Sequence, residues 1–186
     1  MPLPSKRRRS RSNASDSCKA PEKKLGGGMF VIAWLLLLGM LFLYFKDQQA
    51  LQFNPNHNPI SGFENNRKTL TLQANRQHHF VMTGQINQQQ VVFLLDTGAT
   101  NVAIPADIAA QIGLKRGRAS VVETANGRVQ VYSTRIDTLK LGDIVLYNVP
   151  AHINPGMNGL GEVLLGMSAL SQVEFTQRDG TLVITQ

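Results

Sequence analysis

Cysteine is almost missing from this 186-residue chain: Cys18 is the only one, in a basic N-terminal tail, so no disulfide can staple the rest of the chain. Metal-ligand spacing is missing too. His57, His78, His79 and His152 form no His-Glu-x-x-His or comparable cluster, which excludes the usual zinc chemistry, and no cofactor is expected. The stretch GMSAL around Ser168 lacks the second glycine of a nucleophile elbow, so a serine hydrolase is not indicated. A basic folded domain is lacking as well. Residues 1 to 45 hold eight Lys/Arg against Asp16 and Glu22, and the remaining eleven basic and ten acidic side chains leave the rest only +1 of the total +7. A near-neutral domain has no broad basic face to displace counterions, so nucleic acid is not an expected partner. Finally, no internal repeat is visible, and the length suits one ordinary domain plus tails.

What is present begins with MFVIAWLLLLGMLFLYF, residues 29 to 45, uncharged and apolar. Counted from Leu25 at about 1.5 Å per residue, it reaches roughly 32 Å, enough for a bilayer core of about 30 Å. Residues 25 to 45 therefore read as a single transmembrane helix, with Tyr44 and Lys46 at its far end. The Lys/Arg excess before it places the N-terminus in the cytoplasm and everything after Lys46 across the membrane, in the periplasm. A cleaved signal peptide is the competing reading. It fits less well, because the run exceeds the usual apolar region of about 7 to 15 residues and YFKDQQALQF offers no small-x-small site. Residues 1 to 24, rich in Ser, Arg, Lys and Pro, are expected to be a disordered cytoplasmic tail, with Cys18 an idle thiol in it. Residues 46 to 68, rich in Asn, Gln and Pro, read as a polar linker.

From Thr69 onward the texture changes to short β-type runs. TLTLQA, HFVMTGQI, QVVFLLDT, ASVVETA, RVQVYSTRIDTLKL, DIVLYNVPAHI and GTLVITQ carry the alternation and β-branching of strands. Asn126-Gly127 and Asp179-Gly180 are dipeptides that two-residue hairpin turns favour. Only PADIAAQIGL and MSALSQ are plausible helices. The expected fold is all-β: a small closed barrel over residues 69 to 186 with one or two short helices, preceded by the transmembrane helix.

One residue in this β-rich stretch is out of keeping. In VVFLLDTGAT, Asp96 follows an apolar run and precedes Thr97 and Gly98, where a strand should end. An aspartate there is either a turn former bonding its own backbone or a working acid. The remaining acids, including Asp107, Glu123, Asp137, Asp143 and Glu162, read as solvated surface. Two carboxylates crowded together cannot both ionise. They share a proton, so one can activate water while the other protonates a carbonyl.

LLDTGAT, with VLLGMSAL later in the chain, resembles the retropepsins, the retroviral-type aspartic proteases, in a membrane-anchored bacterial form. The resemblance covers roughly Thr83 to Gln186 and implies that Asp96 is the catalytic acid, supported by Thr97, Gly98 and Ala99 in the turn. It also implies that the strand Leu164-Leu165-Gly166 passes beneath the turn. The hairpin VVETANGRVQVY becomes a flap over extended peptide, its tip formed by Thr124, Ala125, Asn126 and Gly127. Thr100 stands where many viral relatives carry a substrate-holding acid, and Ala99 lacks the hydroxyl of pepsin-like members. Since one chain supplies one such turn, the resemblance implies a homodimer about a twofold axis. The expected function is a membrane-anchored aspartic endopeptidase acting on peptide or protein. The alternatives are a dimeric module of the same fold that binds peptide without cutting it, and a monomeric membrane-tethered scaffold.

Overall fold

The structure is a computed structural model that describes residues 25–124 and 127–186. The tail expected over 1 to 24, Cys18 and the flap residues Ala125 and Asn126 lie outside the described residues. The described residues divide into two units, one ending at Leu43 and the other Tyr44–Gln186.

Helix α1, Leu25–Phe53, runs through the apolar stretch and on past Lys46. The span Gly28–Phe53 is long and apolar enough to cross a bilayer, and the side chains of its apolar part, such as Leu36 and Phe42, are exposed. The helix outlasts the apolar run because Gln48, Gln49, Leu51 and Gln52 are unbranched at Cβ and lose little rotamer freedom in a helix.

The second unit is almost all β. A four-stranded sheet has the order β1 (Ile60–Glu64), β2 (Arg67–Gln73), β11 (Thr181–Thr185), β10 (Glu174–Arg178). A seven-stranded sheet has the order β3 (Val81–Ile86), β4 (Gln89–Leu95), β9 (Val163–Leu165), β5 (Val102–Pro105), β8 (Ile144–Asn154), β7 (Gly127–Leu141), β6 (Ala119–Thr124). β3 also pairs with β7 through Gln85↔Lys140 and Ile86↔Leu139, so the ladder turns back on itself around the core. Two short helices, α2 (Ala106–Gln111) and α3 (Met167–Leu170), fall inside the two helical runs of the sequence.

Tight turns set much of the register. Asp179-Gly180 joins paired Arg178 and Thr181, with φ of 48° and 74°, as a two-residue hairpin turn requires. Asn65-Asn66 and Asn87-Gln88 adopt the same left-handed pair without glycine. Gly127 departs from expectation, because it pairs with Thr124 as the first residue of β7 instead of occupying the centre of the turn.

The core gathers the inward positions of both sheets, including Leu70, Phe93, Ile104, Ile136, Leu146, Ile153, Leu165 and Ile184. In β7 the buried set shifts from Ile136 to Leu139 and Leu141, and in β8 from Leu146 to Val149 and Ala151. Each shift is odd-numbered, which period-two alternation does not allow. It falls at the one position the β7–β8 register skips, where Asn148 has a φ of 54°. There the ladder is locally interrupted, and each long strand changes the face it buries.

Of residues 46 to 68, expected from composition to be a linker, those up to Phe53 are helical and 60–64 form β1 against β2. The reason is side-chain chemistry. Asn54 and Asn56 are buried and hydrogen-bonded into the domain, which composition does not reveal.

Candidate active site

Strand β4 delivers Asp96. Val91 and Phe93 point into the core and fix the strand, which ends at Leu95. Parallel pairing of β4 with β9 aligns Phe93, Leu94 and Leu95 with Val163, Leu164 and Leu165. The Asp96 N–H then donates to the Leu165 carbonyl at 3.2 Å, so the acid leaves the sheet directly beside the Leu-Leu-Gly strand. That strand carries the turn's register as well, since β5 pairs with β9 through Ala103↔Leu164.

Within the turn, the Gly98 N–H donates to Asp96 Oδ1 at 2.9 Å, and the Ala99 N–H donates to the Asp96 carbonyl at 3.2 Å. The carboxylate is therefore a turn former as well as a candidate acid. The same bond orients it. Among the described residues this is its one hydrogen-bond partner, and the residue is half-buried, beside exposed Thr97 and Gly98.

The turn is held from below by α3. Met167 and Ser168 donate backbone N–H groups to the carbonyls of Ala99 and Thr100 at 2.8 and 2.9 Å. Gly166 makes that approach possible: a Cβ there would lie 2.6 Å from the Ala99 carbonyl oxygen and also meet the Asn101 carbonyl. Ser168, which the sequence ruled out as a nucleophile, has a structural use instead. Its hydroxyl donates to the Pro150 carbonyl at 2.7 Å and accepts from the Val102 N–H at 3.0 Å, tying β8 to β5. A serine two residues after Leu-Leu-Gly is too ordinary a pattern to have announced this.

The hairpin β6–β7 extends beyond the rest of its sheet. Tyr132 to Leu141 of β7 pair with β8, whereas Gly127 to Val131 pair with β6 alone, leaving a two-stranded ribbon. At its end the Thr124 hydroxyl donates to the Gly127 carbonyl at 2.8 Å. The ribbon leads to the expected flap tip, of which Thr124 and Gly127 are described.

A cavity of about 190 Å³ lies beside Thr97, walled by His79, Phe80, Leu95, Leu170 and Leu182. A larger one, about 320 Å³, lies between His57 and Lys140. Asp96 lines neither. Among the described residues no group of three or more His, Cys, Asp or Glu is placed to hold a metal.

Two acids read as plain surface are more than that. Asp107 accepts from Ile108 N–H and Gly159 N–H at 2.8 and 3.0 Å, which holds its carboxyl below the usual range, the Gly159 bond contributing most. Glu162 is half-buried, and its Oε2 has no partner in the described structure. Burial raises its pKa, and nearby His79 opposes that shift.

The architecture, with the Asp-Thr-Gly turn seated over Leu-Leu-Gly, is a retropepsin-like fold. Residues 82–172 match the family described as "gag-polyprotein putative aspartyl protease". The crystal structure of a retropepsin-like aspartic protease from Rickettsia conorii is similar at 26% identity and a TM-score of 0.51, covering 62% of this chain and 97% of that one. An uncharacterized protein from the cobV 5′ region of a Sinorhizobium species is 32% identical over 114 residues, 60% of this chain and 48% of that protein. An uncharacterized protein of Rickettsia prowazekii (strain Madrid E) is 27% identical over 109 residues, 57% of this chain and 46% of that protein. The chain thus spans about half the length of the curated relatives it matches.

Proposed function

We propose that this chain is a membrane-anchored aspartic endopeptidase, active as a homodimer in which Asp96 of each chain faces its counterpart. The observation that carries the reading is the Asp96 turn itself: an acid oriented by Gly98 N–H, seated on Leu165 and locked by α3, with one such turn per chain. Two of these turns related by a twofold axis bring two carboxylates together, and their mutual repulsion keeps one proton on the pair. The ionised member takes a proton from water, whose oxygen attacks the scissile carbonyl carbon. The protonated member gives its proton to the carbonyl oxygen. Collapse of the tetrahedral species returns a proton to the departing amine, and the shared proton is restored. Thr97, Gly98 and Ala99 hold the acid, Leu164, Leu165 and Gly166 support it, and the ribbon ending at Thr124 and Gly127 closes over extended peptide. Helix α1 anchors the chain in the inner membrane, with the basic N-terminus in the cytoplasm and the protease unit in the periplasm.

The test is cleavage of a mixed peptide library by the full chain in detergent across pH, wild type beside Asp96→Asn. New termini from wild type alone, with activity falling as both acids ionise, support the reading. Equal cleavage by Asp96→Asn refutes it. Binding of peptide without cleavage by either chain identifies a non-catalytic module instead.

A further inference from the structure

We infer that three buried asparagines turn the stretch after the apolar run into a rigid mount, and that this mount confines the enzyme to peptide bonds close to the membrane surface. The substrate part of this inference rests on the anchored-protease reading.

Asn54, Asn56 and Asn75 are 8%, 4% and 7% exposed. A buried amide is tolerated only when hydrogen-bonded, and each of these is. Asn56 Oδ1 accepts from Gln73 N–H at 2.7 Å, while its Nδ2 donates to the carbonyls of Gln73 and Val81 at 2.9 and 2.7 Å. Its backbone carbonyl accepts from Thr83 N–H at 3.1 Å, making a parallel bridge to Met82. Asn54 Nδ2 donates to Thr83 Oγ1 at 2.9 Å, and its Oδ1 accepts from Asn56 N–H at 3.1 Å. Asn75 Nδ2 donates to the Phe53 carbonyl at 3.1 Å, and its Oδ1 accepts from Gln77 and His79 N–H at 2.9 and 3.0 Å.

These bonds join the last residue of α1 and the two asparagines after it to the end of β2 and the start of β3. β3 in turn pairs Val81 with Leu94 on β4, the strand that runs directly into Asp96. From Phe53 onward the chain therefore moves with the catalytic strand. Beyond the mount, β1 on β2 and Ser61 Oγ accepting from Asp143 N–H at 3.2 Å fix the rest of the stretch.

The consequence is one of reach. Without the mount, residues 46 to 68 could stretch to roughly 78 Å at about 3.4 Å per residue. With it, only residues 46 to 53 separate the apolar run from the fixed unit, roughly 27 Å fully extended and about 12 Å as a helix. A tether raises effective concentration only within its span and by almost nothing outside it. The favoured substrate is then an extended polypeptide segment close to the bilayer, in a protein that is itself membrane-bound or lies against the membrane.

The experiment places the full chain in liposomes with a co-anchored probe: the library peptide it cleaves best in detergent, carried on a short or a long helical stalk. Wild type is expected to cleave the short-stalk probe about tenfold faster. A flexible Gly-Ser insertion after Lys46, which leaves the mount intact, should erase the difference, and in detergent both stalks should be cut alike. Equal cleavage of both stalks by wild type on vesicles, with detergent activity intact, overturns the reach argument. Hydrogen exchange on the full chain tests the mount without activity. Amides of Asn56, Gln73 and Thr83 are expected to be slow in wild type and in the insertion variant, and fast in Asn56→Ala. Loop-like exchange of these amides in wild type overturns the mount. A chain that cuts nothing in detergent defeats the protease reading, while exchange still decides the mount.

Discussion

Adding one methyl group at Gly166 tests how the candidate site is built. Gly166 has φ −86° and ψ −177°, which any residue adopts, so Gly166→Ala carries no backbone penalty and its whole effect is steric. The new Cβ would sit 2.6 Å from the Ala99 carbonyl oxygen, against contacts of about 3.5 Å or more for comfortable packing. The Asn101 carbonyl crowds it too, and both belong to the turn that α3 grips through Met167 and Ser168. Backbone cannot swing aside as a flexible side chain does. The destabilisation should therefore lie near the top of the overpacking range, about 3 kcal/mol. Displacing the turn by about 1 Å should lower cleavage roughly a hundredfold. Gly98→Ala is the internal control, since its Cβ would meet only Asp96 Oδ1, at 3.2 Å, and should cost under about 1 kcal/mol. Urea unfolding of the full chain in detergent, with peptide cleavage alongside, reads both effects. If Gly166→Ala unfolds at the same urea concentration as wild type and cleaves normally, the close seating of the turn on Gly166 is wrong.

Ser168→Ala leaves the fully buried Val102 without its N–H partner and should destabilise by about 1–3 kcal/mol, measured by the same unfolding experiment. Gly180→Ala meets no atom within 4 Å, yet its φ of 74° should still cost about 1 kcal/mol, a purely conformational loss. Burial raises the pKa of Glu162, so the folded state holds its proton more tightly than the unfolded chain. Stability from this group is complete below the ordinary carboxylate range and is lost as pH rises through the raised value. Glu162→Gln should remove that decline in unfolding experiments run from acid to neutral pH. An unchanged slope would show that Glu162 ionises freely.

The β texture was legible because alternation and turn dipeptides report directly on strands: seven runs read from the sequence overlap β2, β3, β4, β6, β7, β8 and β11. β1 and β10 were not legible. ISGFE and EFTQR are exposed edge strands whose order comes from pairing with β2 and β11, and an edge needs no apolar alternation. β5, Val102–Pro105, is short and ends in a proline, so its identity depends on its neighbours β8 and β9. Within the candidate site, the adjacency of Asp96 and Gly98 to Leu164, Leu165 and Gly166 was readable because they form one compact motif at each of two places in the chain. The mount was not, since Asn-rich, Pro-containing sequence looks like linker until its amides are seen against Gln73, Val81 and Thr83.

The central claim is that two chains each contribute Asp96 to one site. The direct measurement adds a ninefold excess of Asp96→Asn chain to wild type, lets subunits exchange, and follows peptide cleavage. Random pairing leaves few dimers with two aspartates, so activity should fall about tenfold. Cleavage that stays at the wild-type rate would mean each chain cuts alone, contradicting the account.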